Sequence, residues 1–465
     1  MMLSQAPDAV RLPGVWDSEH RWLTAGVIGT VSATAFEALA VATVLPGVVQ
    51  ELGGVQWYGW AFSGFLLTNL LGISLAGTVA DRRGVATAFA VGSALFVGGL
   101  IGAGLATHMI MVVASRTAQG FGAGAMGAAG YAVIARGYPE ELRARMLAMM
   151  SSAWVIPGMV GPSIAAAVAG AFGWRWVFLG IAPLTALAAV AALPSMRMLQ
   201  PSAVPAGDDA ALWPALRLAL GAAAILGGIA GASAASSFGL IAVGAVLALP
   251  GARLLIPPVE AAVQPAATAA AVTMALVSAA FFGAEAFLPL GLTVIRAQTT
   301  ALVGVTLTAA ALCWTTGAWL QARWVTRRSR RRITIEGALL IVVAIVGVCT
   351  TLFASVPPVV AVAAWGVSGL GMGLAYSTTA LVVLESAAQG REGAASAALQ
   401  LANVLGAAIG TGVAGACVTF AGGGDHVQRS GLVVADLLMI ATALASLGAA
   451  WKLPARTVPL AAGKR

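Results

Sequence analysis

Long apolar runs follow one another along almost the whole chain, separated by short polar or proline-containing connections. A bilayer-spanning α-helix needs about 20 mostly apolar residues, because each residue adds about 1.5 Å along the axis. Fourteen runs meet this requirement, at residues 22–49, 56–80, 85–107, 109–137, 143–171, 174–195, 212–233, 235–255, 266–294, 299–323, 332–354, 357–386, 392–421 and 429–452. The pattern therefore predicts an all-α membrane protein with fourteen transmembrane helices.

The composition excludes a water-soluble protein. Hydrophobic residues make up 60% of the 465 positions and charged residues only 9%, whereas a soluble domain carries about 25% charged residues. A soluble chain of this length has too little interior to hide so much apolar surface. Residues 1–20 contain prolines and acids but no apolar core, so we expect no cleaved signal peptide.

The net charge of +8 comes from basic residues in alternate connections rather than on a nucleic-acid-binding face. One set of connections and the C-terminal tail carry Arg82, Arg83, Arg136, Arg143, Arg145, Arg197, Arg253, Arg327, Arg328, Arg330, Arg331, Arg332, Arg391, Lys452, Arg456, Lys464 and Arg465. The other set carries only Arg175, Arg296 and Arg429. Because cytoplasmic loops are enriched in Lys and Arg, we expect a multi-pass protein of the bacterial inner membrane with both termini in the cytoplasm. The run 327–332 is interpreted as a topology anchor, with binding of anionic membrane lipid as the alternative.

Two polar connections divide the runs into groups of six, two and six. Residues 197–211 and 256–265 are rich in proline and polar residues, which predicts a six-helix bundle at 1–196, two additional helices at 197–262 and a second six-helix bundle at 263–465. A weak internal repeat supports the division, since Glu37 and Glu285 each lie before a proline in the first helix of a bundle. Many secondary transporters are built from related halves with the site between them.

Three segments of the first half combine charge, glycine and proline in characteristic spacings. The connection GTVADRRG contains Gly77, Asp81, Arg82, Arg83 and Gly84; Gly77 would allow close helix approach, Asp81 would face a helix N-terminus, and Gly84 would permit a tight turn. The segment RTAQGFGAG begins with Arg116 inside an apolar run, where an unpaired charge is costly. The segment PGMVGPSIAAA contains Pro157, Gly158, Gly161 and Pro162. The alternatives are an ordinary charged loop, an arginine that snorkels to the interface and generic packing of small residues.

Together these segments resemble signature motifs of the major facilitator superfamily, in its branch of fourteen-helix drug/proton antiporters. Glu37 and Pro46 keep the nine-residue spacing of that branch's first-helix acid and proline, although Leu39 and Ala42 replace its polar neighbours. The loop also departs from the family at Val85, where a basic residue is usual. The resemblance implies that the loop controls alternating access, that Arg116 takes part in proton transfer, and that the 157–162 segment kinks the fifth helix of a proton-coupled exporter.

Three acids lie well inside apolar runs: Glu37, Glu285 and Asp436. A carboxyl group in a low-dielectric environment favours its neutral form, so it can bind a proton on one side of the membrane and release it on the other. We therefore interpret these acids, with Arg116, as proton-coupling groups. The alternative for each acid is a structural hydrogen bond to a neighbouring helix.

Polar and aromatic residues that could line a central substrate cavity are Asn69, Trp154, Trp314, Tyr376, Gln400 and Asn403. The sequence thus predicts proton-driven export of hydrophobic or amphipathic small molecules, including drugs, by a monomer without cofactor or metal. The alternatives are a symporter or facilitator for one metabolite, and a lipid exporter. Motifs for hydrolases, metalloenzymes and nucleotide-driven pumps are missing from the sequence, so no enzyme activity is expected.

Overall fold

The computed structural model describes residues 14–18, 20–199, 212–229, 234–255, 265–386, 392–422 and 427–455, and the regular structure in these ranges is entirely helical. The fifteen α-helices of this part are α1 (Arg21–Leu52), α2 (Tyr58–Arg83), α3 (Val85–Gly104), α4 (Met109–Gly137), α5 (Glu140–Ser152), α6 (Val155–Phe172), α7 (Arg175–Arg197), α8 (Leu212–Ile229), α9 (Ala234–Leu255), α10 (Pro265–Leu290), α11 (Thr300–Trp324), α12 (Arg330–Thr351), α13 (Val360–Ser386), α14 (Glu392–Gly422) and α15 (Arg429–Ala450). A short π-helix, Gly291–Ile295, continues α10.

Eleven helices of the described ranges are long and apolar enough to cross a membrane. Those outside this group are α4, α5, α8 and α9. Helices α8 and α9 each contain a shorter apolar stretch, Leu216–Gly228 and Gly239–Ala248. The fold is thus an all-helical membrane bundle, while the predicted count of fourteen spans exceeds the eleven that length and composition support.

The single helix predicted over residues 143–171 is wrong, because the chain forms a turn at Ala153 and Trp154 that separates α5 from α6. Pro157 lies in the first turn of α6. Proline has no amide hydrogen to donate, and its ring would clash with the carbonyl group four residues earlier, at Ala153, in a continuous helix. In the first turn of a helix these restrictions cost little, so the helix restarts there.

Except for α5 and α6, which continue in the same direction on either side of the turn at Ala153 and Trp154, consecutive helices run in opposite directions, so their connections alternate between two ends of the bundle. We call these the Gly53 end, which carries the α1–α2 connection, and the Gly84 end, which carries the α2–α3 connection. Helices α1–α7 form the first half, and α10–α15 form the second half. The halves meet along two seams, one between α2 and α14 and the other between α6 and α11.

Contacts across the α2/α14 seam lie toward the Gly53 end. A Cβ atom added to Gly59 would lie only 2.9 Å from the Cα of Gly415, and the hydroxyl groups of Ser63 and Thr411 are 3.0 Å apart. The Tyr58 hydroxyl of α2 also donates to the Ala286 carbonyl oxygen of α10, at 2.9 Å. The two halves are therefore packed together at the Gly53 end.

A glycine motif repeats in the two halves and sets how closely the helices approach. Cβ atoms on Gly120 and Gly124 of α4 would lie 2.1 Å from carbonyl oxygens of α2, at Phe65 and Asn69. In the second half, Cβ atoms added to Gly369 and Gly373 of α13 would lie 2.0 and 2.2 Å from the carbonyl oxygens of Ala310 and Trp314 of α11. The four-residue spacing is the same on both partners, so the α2/α4 pair of the first half corresponds to the α11/α13 pair of the second.

Candidate functional site

Two opposite charges meet in the interior of the first half. Glu37 of α1 is fully buried and forms an ion pair with Arg116 of α4, which is 2% exposed. Arg116 also donates from Nε to the Ala61 carbonyl oxygen at 3.2 Å and from Nη1 to Gln119 Oε1 at 2.6 Å. Its guanidinium lies 4.1 Å from the centre of the Phe65 ring. The arginine is therefore held from three helices, and the alternative that it snorkels to the interface is wrong.

The pair explains how two charges are tolerated in an apolar bundle. An isolated buried charge is very costly, and an opposite charge with good hydrogen bonds offsets much of that cost. The arrangement still leaves Glu37 Oε2 and Gln119 Nε2 buried and without partners among the described residues. Glu37 thus retains one oxygen that can accept a proton or a water hydrogen bond.

The corresponding place in the second half is aromatic rather than charged. Arg116 precedes the first glycine of its motif by four residues, and Trp365 precedes Gly369 by the same interval. Trp365 is fully buried and stacks on Phe281 of α10, with ring centres 5.1 Å apart. Sequence analysis missed Trp365 and Phe281, although the matching distance to the glycine motif was a usable signal.

The aromatic cluster, defined as Phe281, Phe282, Trp314, Trp365 and Tyr376, joins α10, α11 and α13. Trp314 stands edge-on to Phe281 with ring centres 5.4 Å apart, and it lies 5.7 Å from Tyr376. Such rings offer a large apolar surface and π faces that attract cations. A cluster of this kind suits lipophilic or cationic molecules, and it contains Trp314 and Tyr376, two of the residues predicted to line a cavity.

Polar groups border this cluster. The Tyr376 hydroxyl donates to Gln400 Oε1 at 2.9 Å, and Ser278 Oγ donates to Asn403 Oδ1 at 2.7 Å. Of the predicted cavity residues, four are thus gathered around α10 and α13. The other two are elsewhere: Asn69 donates to the Gly120 carbonyl oxygen at 3.4 Å inside the first half, and Trp154 is 50% exposed at the start of α6.

Glu285 lies on α10 next to the aromatic cluster. It follows Phe281 and Phe282 by four and three residues, so the three side chains share one face of the helix. Glu285 is only partly buried, and it forms no hydrogen bond or ion pair with the described residues. It therefore offers a carboxyl group that is available to a proton or to a cationic ligand.

Asp436 occupies a separate position within the second half. It lies on α15, is 7% exposed, and lines a small cavity with Thr351, Leu432 and the π-helix residue Gly291. Cys349 of α12 is beside its carboxyl group. The structure does not bring Asp436 together with the Glu37–Arg116 pair, since all residues that line the cavity at Asp436 belong to the second half.

The predicted gating loop forms a tight turn between α2 and α3. Gly84 has a φ of +89°, which only glycine adopts readily. Arg136 of α4 donates to the Ala80 carbonyl oxygen at 3.2 Å, while Asp81, Arg82 and Arg83 occupy the last turn of α2 rather than a loop. A Cβ on Gly77 would meet no described atom within 4 Å, so the close helix approach predicted there is wrong.

The predicted antiporter segment lies where the halves meet. A Cβ on Gly161 would lie 3.5 Å from Phe36 of α1, and one on Gly158 would lie 3.6 Å from Ala311 of α11. A Cβ on Gly304 of α11 would lie 2.9 Å from the Pro162 carbonyl oxygen. Pro157 and Pro162 both lie within α6, so the whole segment borders α1 and the second half.

A model of the Major Facilitator Superfamily matches residues 26–411. The chain belongs to the Major Facilitator Superfamily. Members of this superfamily are membrane transporters, which are not a class of enzyme. The Mycobacterium tuberculosis protein named a probable multidrug-efflux transporter is 26% identical over 450 residues, which cover 90% of this chain and 93% of that protein. Multidrug resistance protein 3 of Bacillus subtilis is 25% identical over 167 residues, 36% of this chain and 33% of its own length.

Solved structures of two transporters share the fold. A bacterial homologue of the human lysosomal transporter Spinster, in an inward-facing and unoccupied conformation, superimposes with a TM-score of 0.65 at 14% identity, over 94% of this chain and 98% of that chain. An auto-inhibited peptide transporter of the POT family gives a TM-score of 0.65 at 16% identity, over 92% and 95%. At these identities the likeness concerns the fold alone.

Proposed function

We propose that this superfamily member is a proton-coupled antiporter that exports hydrophobic or amphipathic small molecules, including drugs. The observation that carries the proposal is Glu285, a partly exposed and unpaired carboxyl group one helical turn from the aromatic cluster. The mycobacterial relative, which is named a probable multidrug-efflux transporter, supports the same substrate class.

We further propose that the chain follows the topology of the fourteen-helix drug/proton antiporter branch. Helices α4, α8 and α9 would cross with the eleven apolar helices, and α5 and α6 would form one crossing. The first bundle would then occupy 1–196, the additional pair 197–262 and the second bundle 263–465. The Gly84 end, which carries most of the arginines, would face the bacterial cytoplasm together with both termini, by the positive-inside rule. The protein would function as a monomer.

In this orientation the packed Gly53 end would face outward, and the binding region would be reached from the cytoplasmic side. Glu285 would carry a proton in the absence of substrate, because an uncompensated carboxylate among apolar groups is costly. A bound lipophilic cation would replace that proton, since its charge compensates the carboxylate directly. Competition between a proton and a cation for one carboxyl group is sufficient to couple their transport in opposite directions.

The Glu37–Arg116 pair would connect protonation to packing in the first half. A proton on Glu37 would remove the charge that balances Arg116 and leave the guanidinium with the Ala61 carbonyl group and Gln119. The contact between α1 and α4 would weaken as a result. The gating loop Gly77–Gly84, the segment Pro157–Pro162 and Asp436 would act in the same cycle, by changing the contacts between halves or by holding a second proton.

Transport by purified protein in liposomes tests the proposal, with a fluorescent lipophilic cation as substrate and an acidic lumen. We expect the dye to accumulate in the lumen in the native protein and not in Glu285→Gln, which should still exchange bound dye for external dye. Glu336→Gln, at the Gly84 end of α12 and paired there with Arg328 and Arg332, is the matched control and should behave as native.

Two outcomes would reject this function. Proton-driven accumulation that persists in Glu285→Gln would remove the proposed role of that carboxyl group. Accumulation driven by an alkaline lumen would indicate proton symport, the alternative that a metabolite transporter would show.

A further inference from the structure

The two seams between the halves differ, because among the described residues an additional helix covers one seam and not the other. Helix α8 packs against both walls of the α2/α14 seam. A Cβ on Gly412 of α14 would lie 2.4 Å from Leu226 of α8, and one on Gly227 would lie 4.0 Å from Trp60 of α2. Leu226 also shares a buried apolar cluster with Leu67 of α2 and Ala408 of α14. Helix α8 therefore separates this seam from the surrounding lipid.

Helix α9 supports α8 from behind. A Cβ on Gly221 of α8 would lie 2.6 Å from the Gly244 carbonyl oxygen of α9, and a Cβ on Gly244 would lie 2.6 Å from the Gly221 carbonyl oxygen. Backbones this near to each other leave no room for a side chain between them. The α8–α9 pair is thus a closely packed hairpin rather than a loose attachment.

The contacts described across the α6/α11 seam lie between Gly158 and Ala166 on α6 and between Gly304 and Ala311 on α11. The hydroxyl groups of Ser163 and Thr308 are 3.0 Å apart, and a Cβ on Gly158 would lie 3.6 Å from Ala311. Toward the Gly84 end, the chain turns at Ala153 and Trp154, and α5 packs against α1, α4 and α6. The wall that α6 contributes to this seam therefore ends at the turn beside Gly158.

Two tryptophans lie close to this turn and to the Gly84 end of α11. Trp154 precedes Gly158 by four residues, and Trp319 follows Ala311 by eight, so both continue the contacting faces of their helices toward the Gly84 end. Trp154 is 50% exposed and Trp319 is 67% exposed. Trp319 is five residues from Trp314 of the aromatic cluster. Trp319 thus lies at the surface of the bundle, less than two helical turns along α11 from the candidate binding region.

We propose that lipophilic substrates enter laterally from the bilayer through a gap between the α5–α6 turn and the Gly84 end of α11, while the α8–α9 hairpin blocks entry at the opposite seam. This inference rests on the proposed export of membrane-soluble molecules. Tryptophan suits the position, because its ring is apolar and its N–H can remain at the wet interface. A cationic amphipathic molecule in the leaflet would meet two π faces before it reaches Trp314.

Kinetics of dye uptake in liposomes test the entry route. The double variant Trp154→Arg/Trp319→Arg places two positive charges at the gap and should raise the KM for the lipophilic cation at least tenfold while kcat stays within about twofold. Trp213→Arg is the matched control, since Trp213 is 61% exposed on α8 at the same end but on the covered seam. It should leave both constants within about twofold. An unchanged KM in the double variant, or an equal rise in Trp213→Arg, would overturn the inference.

A second measurement does not depend on transport and so separates this inference from the proposed function. In a background with Cys313, Cys349 and Cys417 changed to Ser, a bimane fluorophore is attached to Trp154→Cys or to Leu66→Cys, which lies in α2 beneath α8. A nitroxide on a lipid chain should quench the fluorophore at position 154 several-fold more than the fluorophore at position 66. Saturating dye should reduce the quenching at position 154 and leave the quenching at position 66 unchanged. Equal quenching at both positions, or no effect of dye at position 154, would overturn the lateral entry even if the dye is transported.

Discussion

Removal of one charge from the Glu37–Arg116 pair should destabilise the protein more than removal of both. Glu37→Gln keeps the size of the side chain but leaves a guanidinium that is 2% exposed without a counter-charge. Breaking a buried ion pair by removing one partner costs about 3–5 kcal/mol. We expect about 3 kcal/mol here, at the lower limit, because the Ala61 carbonyl group, Gln119 and the Phe65 ring still contact Arg116.

The double variant Glu37→Gln/Arg116→Gln removes the uncompensated charge as well. Two neutral amides of similar length can hydrogen-bond to each other, so the double variant should recover about 2 kcal/mol relative to the single variant, within the range seen for residues in direct contact. The free energy of unfolding can be followed by tryptophan fluorescence in mixed micelles with increasing fractions of a denaturing detergent.

The control for this cycle is the pair of Glu51 and Arg175 at the Gly53 end, 2.5 Å apart and with side chains 50% and 37% exposed. Because solvent screens exposed pairs, Glu51→Gln should change the free energy of unfolding little. The reasoning is refuted if Glu37→Gln is no more destabilising than Glu51→Gln, or if the effects of Glu37→Gln and Arg116→Gln simply add.

Two further predictions concern the ends of the bundle. Gly59→Leu should force the halves apart at the Gly53 end, because even a Cβ would lie 2.9 Å from Gly415; spin labels on Gln50→Cys and Val359→Cys should then move apart, whereas Gly98→Leu, which has no described atom within 4 Å, should leave their distance unchanged. At the Gly84 end, burial raises the pKa of Tyr138, although the Thr24 hydroxyl 2.7 Å away lowers it in part. The contribution of Tyr138 to stability is thus complete below its usual pKa of 10.0 and is lost as the pH rises toward the higher folded-state value, because the unfolded phenol ionises first. Tyr138→Phe should cost about 1 kcal/mol at pH 9 and should reduce the loss of stability between pH 9 and pH 11; an identical alkaline loss in the variant would contradict the assignment.

Apolar run length located most helices, because a bilayer imposes the same length on each of them. The runs 109–137 and 174–195, for example, became α4 (Met109–Gly137) and α7 (Arg175–Arg197). The method failed at 143–171, where hydrophobicity continues through the turn at Ala153 and Trp154. The helix is interrupted there because Pro157 cannot continue a regular helix from α5, and this proline was the sequence signal for the break.

The site was less accessible to sequence reasoning because its partners are far apart along the chain. Glu37 and Arg116 were each identified as buried charges, yet their pairing joins residues separated by 79 positions. The cost of an isolated charge predicts that each has a partner, but not which one. The second-half aromatic residues were harder still, since Phe281 and Trp365 resemble any apolar side chain until the glycine motif aligns the halves.

The glycine contacts within each half have a mechanical consequence. Where α4 meets α2 and where α13 meets α11, the main chains nearly touch, and no flexible side chain lies between them to absorb a displacement. A shift of one helix in such a pair must carry its neighbour along. Each half should therefore move as a rigid body. A small displacement beside Glu37 would then be transmitted to the opposite end of the bundle.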